Sequence, residues 1–167
     1  MGLDTAHKKA FFYAKEKKYD YLFDLNNQDG YFPIGTENAK GYPIKDHKEF
    51  YHFYPWGRKP SKLSGATLEL YDNLVNMTST LLEWIEENTP REIRSQFSEP
   101  LKNMIVGSKT NLLRVIHYPP FSGKEDNRSL RAAAHEDINL ITLLVAGTRP
   151  GLEAKDNNGT WHKITTD

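Results

Sequence analysis

The chain has 167 residues, the size of a single domain. Its 22 Lys and Arg balance its 22 Asp and Glu, which removes the electrostatic case for nucleic acid or an anionic membrane as the main partner. It has no cysteine, which excludes a disulfide scaffold, a thiolate metal site and a cysteine nucleophile, and no apolar run of about 18 residues that would span a bilayer. Lys8 and Lys9 near the start have no apolar stretch behind them, unlike a secretory signal, so the expectation is a soluble, cytoplasmic chain. The hydrophobic share is 38%, against about 45–50% for ordinary domains. Either this is a polar domain, or part of its core lies on residues outside this chain.

Residues 4–24 read as a helix, with Ala6, Ala10, Tyr13 and Ala14 on one face. Asn26, Asn27, Asp29 and Gly30 then mark a turn. Fourteen of the 20 aromatic residues lie between Phe11 and Trp56, which sets the N-terminal third apart. From Tyr31 to Pro60 the rings are interrupted by Pro33, Gly35, Gly41, Pro43, Pro55 and Gly57. That punctuation predicts an ordered aromatic loop whose rings pack the domain, with covering of a substrate as the alternative role. The spacing predicts a helix over 64–88, with Leu70, Leu74, Met77, Leu81 and Ile85 as a core stripe widened by Leu68, Val75, Leu82 and Trp84. Thr89-Pro90 stops it. A shorter helix follows over 90–106, broken or kinked at Pro100.

After Gly107 the period changes. Leu112–Tyr118 is strand-like and ends at Pro119-Pro120. Ile138–Val145 is apolar on both faces except at Asn139 and Thr142, which predicts a buried strand. Leu152–Lys155 and Thr160–Ile164 alternate around the turn residues Asp156 to Gly159, the pattern of a hairpin. Helices first and an antiparallel sheet after them make an α+β layout. The division falls into a helical and aromatic-loop part over 1–106 and a strand-rich part over 107–167.

The chemically sharp feature is His135-Glu136-Asp137, ahead of that last predicted strand. In extended chain, residues i and i+2 point the same way, so an imidazole and a carboxylate are presented together with Glu136 turned aside. The pair suits one edge of a 2-His-1-carboxylate iron site, and zinc uses the same ligand types. The bare tripeptide is also what a solvated histidine beside a turn aspartate would give. His7, His47, His52, His117 and His162 are dispersed and read as polar or packing residues, and Arg114 as a surface or ion-pairing strand residue, with anion binding as its alternative.

Context narrows the choice. The run Leu113-Arg114-Val115-Ile116-His117-Tyr118-Pro119-Pro120, a polar loop, and then Arg131-Ala132-Ala133-Ala134-His135-Glu136-Asp137-Ile138-Asn139-Leu140-Ile141-Thr142-Leu143-Leu144 resembles the isopenicillin N synthase-like family of iron(II)- and 2-oxoglutarate-dependent oxygenases. Gly151–Ala154 with Gly159-Thr160-Trp161 looks like the family's following hairpin, and Gly30–Glu37 with Lys48–Tyr51 like its N-terminal loop. The resemblance implies N-terminal helices packed on a double-stranded β-helix, or jelly roll, that is incomplete at the C-terminus. It implies His135 and Asp137 as two Fe(II) ligands, 2-oxoglutarate and O2 as cosubstrates, and a small organic substrate. Tyr118 matches a tyrosine that lines the pocket and bonds a carboxylate of cosubstrate or substrate; its alternative is packing on the proline pair. Plant relatives carry Asn where Ile116 stands, so that contact is absent.

The family's distal histidine and its Arg-x-Ser grip on 2-oxoglutarate come later than Asp167, which implies a fragment, inactive alone and prone to self-association through an open sheet. Three other readings stay open: an oxidase of the isopenicillin N synthase type without 2-oxoglutarate, a non-catalytic or assembly-dependent relative, and a zinc hydrolase, although no His-Glu-x-x-His is present.

Overall fold

The computed structural model describes residues 15–60 and 65–165. The chain leaves a short helix α1 (Lys15–Lys18) through a 3-10 turn (Tyr19–Tyr21). Most of the helix expected over 4–24 lies outside the described residues; within them, it gives way to non-helical chain by Leu22. Gly30 then opens the first strand at φ 119°. A Cβ there would come within 2.7 Å of the Tyr21 carbonyl and 2.9 Å of the Leu22 carbonyl, so both conformation and space call for glycine.

Three strands form the main sheet in the order β1 (Gly30–Phe32), β2 (Glu49–Phe53), β3 (Leu113–His117), all antiparallel. Tyr31 pairs with Tyr51, and Glu49 with His117. Strand alternation sends odd and even residues to opposite faces. The odd face (Tyr31, Tyr51, Phe53, Val115) builds the core with Tyr71, and Leu113 and Val75 pack beside it. The even face carries Phe32 stacked on Phe50 at 4.4 Å, with His52 4.6 Å from Phe32 and the Arg114 guanidinium 4.6 Å above Phe50.

The expected aromatic loop is therefore partly a sheet. Its rings do pack the domain, with Tyr31, Phe50, Tyr51, Phe53 and Tyr54 all buried. The prolines and glycines that argued against strands fall between β1 and β2 and after β2, while Phe50-Tyr51-His52-Phe53 is a run of strand-favouring residues.

Helix α2 (Gly65–Glu87) matches the predicted span. Its inward face follows the expected stripe only in part: Leu82 is buried and Leu70, Leu74, Val75 and Leu81 are half-buried, but Thr67 and Tyr71 are buried as well, and Leu68, Met77, Trp84 and Ile85 are exposed. Tyr71 turns the helix, because its ring meets Phe53 edge-on at 6.1 Å. The segment expected as a broken helix is two pieces, α3 (Arg91–Arg94) after Pro90 and a 3-10 turn (Leu101–Met104) after Pro100. The Leu101 amide donates to the Glu86 carboxylate at 2.7 Å, which fastens the second piece to α2.

The hairpin is as expected, with β4 (Glu153–Lys155) antiparallel to β5 (Trp161–Lys163). The strand expected over Ile138–Val145 is not: those residues are irregular, and Ile138, Leu140 and Leu144 are exposed. A strand exists only through its neighbours, and no described strand runs beside this one. Asn139 instead closes a local turn, donating to the Ile141 carbonyl at 2.5 Å and to Thr142 Oγ1 at 2.8 Å. The architecture is a mixture of helices and small antiparallel sheets.

His52 gives the fold a distinct acid sensitivity. Burial, and then the neighbouring Arg114 charge, push its imidazole down to about 4 from an ordinary 6.5, and its buried Nε2 has no hydrogen-bond partner among the described residues. The unfolded chain therefore takes up this proton at a higher pH than the folded one, and stability falls as pH drops from about 6.5 toward 4. Urea midpoints measured across that window should decline in the wild type and decline less in His52→Phe.

Candidate metal centre

The segment after β3 is held by a loop that precedes β2. The Tyr42 hydroxyl donates to the Arg128 carbonyl at 2.7 Å, and the His47 amide to the Leu130 carbonyl at 2.8 Å. The His47 ring stacks on Phe121 at 4.5 Å, and the Arg131 guanidinium lies 5.0 Å from the same ring. Deepest in this contact is Asp46, 2% exposed. Its Oδ1 accepts the Ala133 N–H at 3.0 Å, and its Oδ2 pairs with the buried Lys48 ammonium at 2.9 Å. Lys48 also reaches Glu37 at 2.8 Å. Burial would lower the Lys48 ammonium, but the hydrogen bonds to Glu37 and Asp46 outweigh it and raise it above the ordinary value.

Two residues past Ala133 comes His135. Its Nδ1 lies 2.8 Å from the Ala133 carbonyl. A carbonyl can only accept, so Nδ1 carries the proton and Nε2 presents its lone pair. That Nε2 is 3.6 Å from Asp137 Oδ1. The separation is too long for a hydrogen bond, and His135 Nε2 and Asp137 Oδ1 together would be the two donors to hold a divalent ion. The second carboxylate oxygen, Oδ2, accepts from the Thr142 hydroxyl at 2.5 Å, which fixes the carboxylate plane. The side chains of His135 and Asp137 are 48% and 49% exposed. Among the described residues, no third His, Cys, Asp or Glu joins them. An imidazole nitrogen with a defined tautomer and a carboxylate oxygen are donor types that suit Fe(II).

Tyr118 follows β3 directly and is 42% exposed. Partial burial raises its phenol, so the hydroxyl stays protonated and able to donate at neutral pH. Its even number puts it on the Phe50 side of the sheet, whereas His117 faces the other way and bonds Glu49 at 2.8 Å. Arg114 is an ion-pairing strand residue, 3.4 Å from Glu37. His47 packs on Phe121, and His162 pairs with Asp156 at 2.8 Å. His7 lies outside the described residues. The sequence reading passed over Asp46, Lys48, Glu37 and Thr142. The available signal was Asp46-x-Lys48 entering a strand, opposite charges two apart on one face.

Comparison with known proteins decides the kinship. No protein-family model matches the chain. The whole chain superimposes on the crystal structure of a candidate oxygenase from Shewanella oneidensis with TM-score 0.79 and 41% identity, covering 62% of that protein. It superimposes on a candidate 2OG-Fe(II) oxygenase family protein from Caulobacter crescentus with TM-score 0.66 and 29% identity, covering 59% of it. A gibberellin 2-beta-dioxygenase of Arabidopsis thaliana is 29% identical over 108 residues, which are 65% of this chain and 31% of that enzyme. Over its whole length the chain is similar to iron(II)- and 2-oxoglutarate-dependent oxygenases. It spans about three fifths of the two solved structures, and the matched segments cover 17 to 48% of the curated relatives.

This oxygenase family works with Fe(II), 2-oxoglutarate and O2, and its members act on small molecules. The donor pair in this chain carries its own supports, and supports of this kind commonly change metal affinity by ~10–100-fold when removed. Thr142→Val, which keeps the shape and deletes the donor to Asp137, should weaken Co(II) binding about tenfold in a calorimetric titration.

Proposed function

We propose that this chain carries the first two iron ligands of a non-haem iron(II) oxygenase that couples 2-oxoglutarate decarboxylation to oxidation of a small organic substrate. The observation that carries the proposal is the His135–Asp137 pair: a proton fixed on Nδ1 leaves Nε2 bare, 3.6 Å from a carboxylate oxygen that is itself held by Thr142. A bound Fe(II) would supply the oxidising chemistry, with 2-oxoglutarate and O2 as its cosubstrates. His135 donates a neutral nitrogen and Asp137 a negative oxygen, a set matched to a divalent ion. The Tyr118 hydroxyl offers a neutral donor for a carboxylate of cosubstrate or substrate. Its position on the even side of the sheet, shared with Phe50, supports that role.

The proposed architecture is one oxygenase domain read in part. Residues 1–106 bring the helices and the aromatic sheet, and 107–167 begin the jelly-roll core. The third iron ligand and the grip on the far carboxylate of 2-oxoglutarate then belong to the two fifths of the relatives that this chain does not span. The cytoplasm is the proposed compartment.

In metal titrations, His135→Ala and Asp137→Ala should each abolish Fe(II) binding; stoichiometric iron retained by either variant removes the ligand assignment. With the metal site complete, succinate released in step with 2-oxoglutarate consumption is expected, and substrate oxidation without succinate would instead favour the oxidase reading.

The exposed Ile138, Leu140 and Leu144 support a further part of the proposal, self-association of the 167-residue chain through this segment. Sedimentation should show dimers or larger species, and a monodisperse monomer with cooperative melting would contradict it.

A further inference from the structure

We infer that Asp46 is a positioning residue for His135, acting through the peptide units of Ala133. The inference rests on the proposed metal site and extends it to a residue 89 positions upstream. Three contacts in series make the connection. Lys48 Nζ holds Asp46 Oδ2 at 2.9 Å. Asp46 Oδ1 accepts the Ala133 N–H at 3.0 Å. The Ala133 carbonyl accepts His135 Nδ1–H at 2.8 Å. The first two contacts are buried, with the Asp46 and Lys48 side chains at 2% and 7% exposure and Ala133 at 3%. The third lies at the edge of solvent, where His135 is half exposed.

That gradient is the reason to assign a role. An exposed histidine beside irregular chain has many rotamers and two neutral tautomers, and water competes for either ring nitrogen. Here the one acceptor that selects the Nδ1–H tautomer is a carbonyl whose own residue is fixed from behind by a buried carboxylate. Beyond Asp137 every described residue is exposed or half-buried and none is buried. The geometry of His135 is thus inherited from the N-terminal side of the fold, from the Asp46–Lys48 pair at the entrance to β2. Metal-binding histidines depend on such an acceptor for orientation and basicity. In this chain the acceptor is a backbone group, so the sequence-encoded part of the device lies one contact further back, at Asp46.

The chemistry separates the atoms involved. Asp46→Asn keeps a carbonyl oxygen for the Ala133 N–H but turns an NH2 donor toward Lys48 in place of the Oδ2 acceptor, and Lys48 retains Glu37 at 2.8 Å. Leu at position 46 keeps approximate shape and loses the acceptor.

Long-range 1H–15N spectra of His135 in the metal-free protein read the tautomer directly. Wild type and Asp46→Asn should show the Nδ1–H form, and Asp46→Leu a mixture with substantial Nε2–H. Co(II) titrations should follow: near wild-type affinity for Asp46→Asn, and a loss of about 10–100-fold for Asp46→Leu. Asp46→Leu with an unchanged tautomer and unchanged Co(II) affinity overturns the inference. Should Asp46→Leu fail to fold, amide exchange in the wild type decides: the Ala133 N–H must be among the slowly exchanging amides, and fast exchange there overturns the inference equally. The metal reading fails separately, if Co(II) binding survives His135→Ala unchanged. The tautomer and amide measurements judge Asp46 without any metal present.

Discussion

Two buried charges side by side, Lys48 and Glu49, organise this molecule. Adjacent strand residues face opposite ways, so one sheet must satisfy a cation on one side and an anion on the other. Glu49 accepts from Lys18 at 2.7 Å, from the Tyr31 hydroxyl and from His117 at 2.8 Å, which ties α1, β1 and β3 to β2 on the core side. Burial pulls its carboxyl upward, yet these donors outweigh it and keep it below the ordinary range. Lys48, on the other side, draws in Glu37 and Asp46. Removing one partner from a buried pair costs ~3–5 kcal/mol, whereas an exposed pair such as Lys102–Glu83 is screened by solvent and contributes little. A slip of one residue in β2 would place Lys48 in the core and Glu49 among the groups that need a cation. The register is therefore fixed by charge as well as by the alternating rings.

The two faces divide the labour. The odd face makes stability, with Tyr31, Tyr51, Phe53 and Val115 closed by Tyr71 of α2. On the even side Glu37, Asp46, Lys48 and Arg114 form a cluster of charges, and Asp46 holds the Ala133 N–H two residues before His135. Loop 37–48 connects these roles, because the same short stretch enters β2 and grips residues 121–133. A donor pair on an irregular, half-exposed segment gains definition this way without needing a strand of its own.

Elements with strong local signals were legible in the sequence. The 3.6-residue period, with Thr89-Pro90 as a stop, marked α2 to within a residue, and the turn chemistry of Asp156 to Gly159 marked the hairpin. The His-x-Asp spacing marked the donor pair, because i and i+2 share a side in extended chain. What the sequence hid depends on partners distant in the chain. β2 was masked by the prolines and glycines around it, although its own residues favour strand. The true inward face of α2 depends on where Phe53 lies, which no periodicity reports. Ile138–Val145 has the composition of a buried strand, and composition says nothing about whether neighbouring strands are present to bury it. The Asp46-x-Lys48 alternation hints at their pairing, but the reach of Asp46 to a backbone amide 87 positions away leaves no spacing to detect.

The boundary at Ala133 has a thermodynamic corollary. On its upstream side the backbone is anchored by buried bonds, and on its downstream side Ile138 is bare to solvent. His135 and Asp137 straddle the first steps of that unanchored stretch. An ion gripping both would tie the free stretch to the anchored one, so ordering of the segment and occupancy by metal become a single linked equilibrium. Conversely, any strand that docks against 138–145 would tighten the hold on the ion without touching it. Metal supply and docking of such a strand would then each act as a sensor of the other.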